Sequence, residues 1–391
     1  MDLNDTLRGQ GEDSIRGQFD LAHTQSQREG AALLDDVAAF LGRFVAYPDE
    51  HGLVAHVLWI AHTHLMDCWE STPRLGFLSP EAASGKTRAL ELTELMVPNP
   101  LAAVNVTPAY LFRKVGGEPL PTVLYDEIDT VFGPRVKKDN EEIRALLNAG
   151  HRRGSVSGRC TVKNKKIVLE ELPAYCAVAL AGLGYLPETI MTRTVVINMR
   201  RRANGDAIDP YRRRFHSPLG EALRQRLEKW ADSVRVEIEG YIPAMPAGVA
   251  DRDADVWEPL LTIADHAGKT WKNKAHAAAG SAVAASRKTV GSLGVQILTD
   301  IRAIFDGVEN SPTKATAISS RRLVERLCDD FPESPWSDLR GRPLNQNKLA
   351  NFLKPYGVTS VNIKDEGSVL KGYRKQDFID AWKRYLSSTI P

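Results

Sequence analysis

Apolar residues recur at helical spacing from Ala31 to Val45, through Leu33, Leu34, Val37, Phe40, Leu41 and Phe44, and Pro48 ends that run. A second helical pattern spans Leu53 to Trp69. Beyond it, short apolar runs alternate with helical patterns. Leu75–Leu78 is followed by Arg88–Met96, and Pro100–Asn105 by Ala109–Val115. Thr122–Tyr125 is followed by Glu141–Ala149, and the apolar runs Ala174–Ala181 and Thr194–Asn198 close the series. Thr107-Pro108 supplies a hydroxyl cap followed by proline at the first helical position. Strands and helices alternating in this way predict an α/β fold, a doubly wound core around a mainly parallel sheet. One segment breaks the alternation. Ser155–Val162 and Ile167–Glu170 read as a β-hairpin whose tip is Lys163-Asn164-Lys165-Lys166.

Outside this core the pattern changes. Residues 1–30 are polar and read as poorly ordered, and residues 31–70 form a helical N-terminal segment before the core at 71–203. Residues 204–290 are helical, with Leu219, Leu223, Leu227 and Trp230 in register and a break at Ile242–Gly248. The alanine-rich tract near Ala275–Ala285 needs only helix propensity to explain it. Residues 291–391 form a separate unit with helices at Val295–Phe305, Ser319–Cys328 and Asn345–Pro355. A hairpin, Val361–Lys364 with Val369–Tyr373, and a closing helix from Gln376 to Leu386 complete it. Three helices and a hairpin match a winged helix, whose third helix is the usual groove-entering element.

Composition narrows the picture only slightly. The chain has 391 residues, 26% charged and 43% hydrophobic, which is ordinary for a globular protein of two or three domains. A net charge of +2 names no partner, so local clusters carry that argument. Four scattered cysteines without a C-x-x-C pair suggest neither a zinc site nor a disulfide framework, and point to a reducing bacterial cytoplasm. No apolar run approaches membrane-spanning length, and the N-terminus lacks the apolar core of a secretory signal. His51, His56, His62 and His64 do not fit H-E-x-x-H, and read as helix packing or a polar contact beside a ligand rather than as metal ligands.

The chemistry concentrates at Ser79-Pro80-Glu81-Ala82-Ala83-Ser84-Gly85-Lys86-Thr87. A strand, a tight loop and a helix start ending in Gly-Lys-Thr form the arrangement that wraps a triphosphate. Backbone N–H groups and the helix dipole face the phosphates. Ser84, Gly85, Lys86 and Thr87 are the nucleotide-binding candidates, with Lys86 reaching the β/γ-phosphates and the Thr87 hydroxyl holding Mg²⁺. The first glycine of G-x-x-x-x-G-K-[ST] is replaced by Pro80, which offers no N–H, so the loop must enter differently. Forty residues past the lysine, the strand at Thr122 ends in Asp126-Glu127. Asp126 suits the Mg²⁺ shell and Glu127 the positioning of an attacking water, which together imply ATP hydrolysis with Mg²⁺.

Further cations have candidate roles. Arg193, directly before the strand Thr194–Asn198, is the candidate cation acting across a subunit interface, with Arg152 and Arg153 as rivals and a strand-start salt bridge as the plain alternative. Arg252, at the start of a lid helix, is a candidate nucleotide contact. Lys163, Lys165 and Lys166 at the hairpin tip either grip a phosphate backbone or form a solvated turn. The clusters Arg200–Arg202 and Arg212–Arg214 face either nucleic acid or solvent. From Leu339 to Pro391 ten Lys and Arg stand against four Asp and Glu. That excess makes Lys348, Lys371 and Arg374 nucleic-acid candidates, beside the alternative of a protein-binding winged helix.

With these residues in view, the chain resembles a family of phage, prophage and mobile-element P-loop ATPases, catalogued mostly as a domain of unknown function and often accompanying primases. The carrying segments are Ser79–Thr87, Leu124–Asp129, Asn148–Gly154, Ala181–Pro187, Asp251–Ala264 and Lys371–Tyr385. The resemblance implies a helicase-like replicative ATPase of the AAA+ type, acting on DNA as a homo-oligomeric ring such as a hexamer, with any primase on a separate chain. It departs from ring ATPases where Leu180-Ala181-Gly182 lacks the usual polar residue. The other reading is an ATP-gated DNA-binding loader or switch that does not unwind. A small-molecule kinase fits the first two motifs but not the rest.

Overall fold

The computed structural model describes residues 12–103, 106–132, 141–163, 166–183, 186–203, 205, 207–289, 293–309, 316–331, 334–337, 339, 343–365 and 368–386. The chain folds as two compact units, Met1–Ala284 and Ala285–Pro391.

In the first unit, α1 (Glu12–Phe44) and α2 (Glu50–His62) precede β1 (Arg74–Ser79) and α3 (Lys86–Met96). The chain continues through β2 (Pro100–Ala103), α4 (Pro108–Val115), β3 (Thr122–Tyr125) and α5 (Glu141–Ala149). Next come β4 (Val156–Lys163), β5 (Lys166–Pro173), β6 (Val178–Leu183) and β7 (Thr194–Asn198). The helices α6 (Arg213–Ile238), α7 (Arg252–His266) and α8 (Lys269–Thr289) follow.

Five strands form one parallel sheet in the order β2-β3-β6-β1-β7. Every residue of β1 is buried, as a strand covered on both faces requires. Its period-2 alternation divides the core. Leu75 and Phe77 point into one apolar cluster with residues of α1, α2, α3, α6, α7 and α8, while Leu78 joins Leu111, Phe112, Ile143 and Leu146 on the other side. Burial of each such side chain contributes about 1.5–3 kcal/mol. The hairpin β4–β5 stands apart from this sheet, with Lys163 opposite Lys166.

The sequence reading and the structure differ at several ends. α1 begins at Glu12, inside the segment expected to be poorly ordered, because a polar helix leaves no apolar period to read. Gly30 in α1 is buried, and a Cβ there would lie 2.6 Å from the Trp230 ring. α2 is capped by Asp49, whose carboxylate accepts from Gly52 N at 2.8 Å, and gives way after His62 to a 3₁₀ segment, Thr63–Cys68.

The second unit runs α9 (Leu293–Glu309), β8 (Ala317–Ser319), α10 (Ser320–Asp330), α11 (Gln346–Leu353), β9 (Val361–Asp365), β10 (Ser368–Arg374) and α12 (Ile379–Tyr385). Its antiparallel sheet has the order β8-β10-β9. The three-residue β8 was too short to register in the sequence pattern. The core packs Ile297, Phe305, Leu323, Leu349, Tyr373 and Phe378, with Phe378 stacked on Trp382 at 5.3 Å. Asp300 is buried and accepts from Trp336 Nε1 at 2.6 Å and Ser334 Oγ at 2.9 Å. Among the described residues no helix is long and apolar enough to cross a membrane.

Candidate functional site

Parallel strands deliver their following loops to one edge of the sheet. There, the loops after β1 and β3 meet. Gly85 adopts φ +84°, the left-handed conformation that glycine holds at little cost, and turns the chain into α3. Ala83 sits at φ +60° and Glu127 at φ +54°, where a side chain is strained by about 1–3 kcal/mol.

Lys86 is buried at the head of α3. Its Nζ donates to Ser79 Oγ at 2.5 Å, Ser84 Oγ at 3.0 Å and Glu81 O at 3.1 Å. The cation is thus held against hydroxyls and a carbonyl of its own loop, and Ser84 Oγ donates in turn to Ser79 Oγ at 2.9 Å. Thr87 Oγ1 donates to Asp126 Oδ2 at 2.8 Å, which joins the loop after β1 to the acidic end of β3. Asp126 Oδ1 accepts from the Glu127 backbone N at 2.9 Å, and Ile128 N donates to Ala181 O at 2.9 Å, tying the acidic turn to the end of β6. Glu127 itself is exposed. A hydroxyl and a carboxylate side by side are a donor set suited to a hard cation such as Mg²⁺, and the left-handed loop before a helix N-terminus suits phosphate. The two segments picked from the sequence therefore share one site.

Arg201 was not singled out within its cluster. Leu78 O accepts from Met199 N at 2.7 Å, so the chain leaving β7 passes directly over the loop after β1. Arg201 Nε lies 3.1 Å from Glu81 Oε2 and donates to Ala82 O at 3.2 Å. It therefore rests on the residues that follow Pro80. On the same side Arg88, one residue past Thr87, stacks over the Tyr211 ring at 4.5 Å.

Arg193 and Arg252 lie elsewhere. Arg193 O accepts from Arg74 N at 2.8 Å, which places Arg193 at the amino-terminal edge of the sheet, opposite the loop after β1. The length of β1, roughly 16 Å, separates the two edges. Arg193 Nη1 donates to Thr189 O at 3.1 Å and Asn148 Oδ1 at 3.4 Å. Arg252 does not approach the Lys86 site of its own chain; its Nη1 donates to Thr192 Oγ1 at 3.3 Å, beside Arg193. Helix α7, which Arg252 begins, starts at the other edge of the sheet. Of the rivals, Arg153 is engaged by the carbonyls of Met66 and Asp67.

The basic candidates divide between the units. Lys163 and Lys166 are register partners in the last described pair of the hairpin, and Lys165 lies outside the described residues. Lys348 is on α11, half-buried, with Nζ donating to Pro343 O at 3.4 Å, and its backbone N is capped by Asn345 at 2.9 Å. Lys371 and Arg374 are exposed on β10.

The histidines belong to packing. Thr93 Oγ1 donates to Ala89 O at 2.7 Å, so it accepts from His56 Nε2 at 2.8 Å, and His56 Nδ1 accepts from Tyr47 OH at 2.6 Å. Burial lowers His56 to about 3. His62 bridges the Trp59 carbonyl and Thr72 Oγ1, and burial lowers it to about 3 as well. No cluster of metal-ligating side chains occurs among the described residues.

Comparison with known proteins extends this description. The family model described as "Protein of unknown function (DUF3631)" matches residues 198–385. A Saccharopolyspora erythraea protein, "Uncharacterized 28.9 kDa protein in xis 5'region", is 38% identical over 189 residues, covering 48% of this chain and 68% of its own. Among solved structures, the A-form apo structure of the NrS-1 C-terminal region is similar over 87% of this chain and 74% of that one, at 13% identity and a TM-score of 0.38. A second structure of the same region covers 88% and 75%, also at 13% identity and a TM-score of 0.38. Taken with the identity to the Saccharopolyspora erythraea relative, the matching model shows that the chain belongs to the DUF3631 family.

Proposed function

We propose that the chain is an ATP-hydrolysing DNA motor with its nucleotide at the loop after β1. The observation that carries this reading is the 2.8 Å hydrogen bond from Thr87 to Asp126, with Lys86 buried one residue earlier and Glu127 one residue later. Thr87 and Asp126 would hold Mg²⁺, which when bound draws charge from the phosphates. Lys86 exchanges the hydroxyls of Ser79 and Ser84 for phosphate oxygens and neutralises the charge that builds there. Glu127 orients the water: its oxygen bonds to the terminal phosphorus, the bond to the bridging oxygen breaks, and the water proton leaves toward the carboxylate.

The DNA part rests on a separate set of features. The order helix, strand, two helices and two strands in the second unit, with an excess of basic residues from Leu339 onward, supports a winged-helix reading. The β4–β5 hairpin carries lysines at its end. A phosphate-gripping hairpin suits movement along DNA because its contacts ignore sequence.

One observation favours a loader or switch instead: the end of β6 offers only Ala181 and Gly182 beside the acidic turn, with no polar side chain. ATP turnover measured without DNA, with single strands and with duplex, at low and moderate salt, tests the proposal. Strong stimulation by one form supports a motor. Turnover indifferent to DNA supports the switch, and absence of turnover overturns both. Replacing Lys163, Lys165 and Lys166 by alanine abolishes unwinding in a motor and spares a loader.

A further inference from the structure

The sequence leaves the arginine cluster at the start of α6 between two uses, nucleic acid or solvent, and the structure shows what stands beside it. The turn into α6 is fixed from inside. Arg212 N donates to His216 Nδ1 at 2.9 Å, Phe215 N donates to Arg212 O at 2.9 Å, and Tyr211 OH lies 3.0 Å from Ser217 Oγ. The rings of Tyr211 and His216 both turn inward onto Phe44 of α1, at 5.3 and 4.7 Å between centroids. Gly220 is buried against Leu95 of α3, where a Cβ would fall 2.9 Å from that side chain. Phe215 does the opposite. It is 62% exposed, and Leu219, one turn later on the same helix face, is 50% exposed. Arg212, Arg213 and Arg214, which lead into this ring, are all exposed, and the Arg214 guanidinium lies 4.6 Å from the ring centroid. Among the described residues no carboxylate pairs with any of the three, and Asp209, just before them in the chain, is engaged by Arg43 at 2.6 Å. Local stability does not account for this group. Arginine in a first turn opposes the dipole of its own helix, and a phenylalanine left in water forgoes burial.

We propose that Phe215 and Leu219, with Arg212, Arg213 and Arg214, form a platform for single-stranded DNA. The proposal shares the DNA half of the reading above and needs nothing of the nucleotide site. Guanidiniums pair with the phosphate oxygens of a backbone whatever its sequence. An aromatic ring already held outward on a fixed turn loses little freedom when a base stacks on it. Only an unpaired base has a face to offer, because in a duplex that face is already stacked. Ring and cations together therefore select an unpaired strand over a duplex, and over an acidic peptide, which brings charge without a flat face. Leu219 extends the apolar ledge along the strand. The platform belongs to the nucleotide side of the sheet: the chain that reaches it crosses the loop after β1 at Arg201, and Arg88 of α3 stacks over Tyr211.

The test uses the full chain without nucleotide. A thymidine oligonucleotide carrying 5-iodouracil, irradiated in the complex, should cross-link at Phe215, because that photoreaction favours an aromatic ring stacked on the base. Cross-links confined to residues 291–391 or to the β4–β5 hairpin overturn the inference and leave DNA binding elsewhere intact. Fluorescence anisotropy supplies a second readout. Phe215→Ala should weaken binding of the single strand roughly 10-fold and leave duplex binding unchanged, and Phe215→Trp should retain it. Replacing Arg212, Arg213 and Arg214 by glutamine should lower the slope of log affinity against log salt by about 2, as expected for three lost phosphate contacts. Matching thermal midpoints show that the variants fold. Equal losses for single strand and duplex in Phe215→Ala overturn the inference. So does polyglutamate, or a phosphatidylserine vesicle, that displaces the oligonucleotide as well as unlabelled DNA does. Absence of any DNA binding by the wild-type chain overturns the DNA reading itself, and the inference with it.

Discussion

The two edges of the parallel sheet handle charge in opposite ways. At the carboxyl edge Lys86, Asp126 and Glu81 each have a partner within their own chain: Lys86 with Ser79 and Ser84, Asp126 with Thr87, Glu81 with Arg201. At the amino edge Arg74, Arg193 and Arg252 converge on carbonyls, an amide and a hydroxyl. A self-compensated site is prepared to exchange its internal contacts for a ligand at small net cost, because each hydrogen bond broken is replaced by another. An uncompensated cluster gains from an anion it does not itself supply. The first edge therefore reads as the place where a substrate is held, and the second as a standing positive field.

The largest effects should come from the carboxyl edge. Lys86→Ala should remove nucleotide binding and turnover together. Glu127→Gln should reduce turnover on the order of 1000-fold while nucleotide still binds, because the amide fills the same space but cannot accept the water proton. Single-turnover hydrolysis beside equilibrium binding of a fluorescent ATP analogue separates the two. If Glu127→Gln hydrolyses at the wild-type rate, the acidic turn of the carboxyl edge does not take the water proton and the proposed hydrolysis loses its base.

A smaller effect should follow from the loop backbone. Gly85→Ala places a Cβ on a residue at φ +84°, at a cost of about 1–2 kcal/mol. Space is not the obstacle, since the nearest neighbour of that Cβ is Met199 Cε at 3.6 Å. A lower thermal midpoint with weakened nucleotide binding is expected. An unchanged midpoint would show that the left-handed turn is not required.

This contrast also marks how far the sequence could be read. Ser79–Thr87 and Asp126-Glu127 declare themselves because their chemistry is local: a loop, a helix start and a strand end lie within a few residues. The sheet was legible from alternating periods, and its parallel sense from the helices between strands. What the sequence does not display is which edge a loop reaches. That Arg252 lies at the amino edge, away from Lys86, is visible only once α7 is seen to start beside Thr192. Arg74 opens an apolar run and carries no local signal of a buried, acid-free charge. Its significance depends on Leu147 and Cys176, far along the chain. Arg201 was visible only as one of three arginines, because the neighbour that defines it, Glu81, becomes adjacent through the pairing of β7 with β1.

Acidification probes the amino edge directly. His151 has a folded-state value of about 4, below its ordinary 6.5, through burial first and then the charge of Arg193. The unfolded chain thus binds more protons between roughly pH 4 and 6.5, so stability falls as pH drops through that window. The fully buried His56 and His62, both at about 3, add to the same slope with about 1.4 kcal/mol per pH unit each. Denaturant melts between pH 7 and 5 should show the loss. NMR titration of the His151 ring in Arg193→Ala should find its pKa raised relative to wild type. An unmoved value would mean that the guanidinium field at this edge is screened away.

The smallest effect belongs to Arg201 and Glu81. Their side chains are 63% and 62% exposed, so the pair itself is worth at most about 1 kcal/mol. Its interest lies in what each partner does alone. Glu81 is a carboxylate on the loop proposed to hold phosphates, and the only ion pair described for it is with Arg201. Arg201→Ala leaves that carboxylate facing the ligand, whereas Glu81→Gln frees the guanidinium for it. Arg201→Ala should therefore weaken ATP binding several-fold, Glu81→Gln should strengthen it modestly, and the double variant should fall between them, all three differences shrinking with added salt. Equal, salt-independent losses in both single variants would instead make the pair a packing contact, and the carboxyl edge would be less self-compensated than its geometry implies.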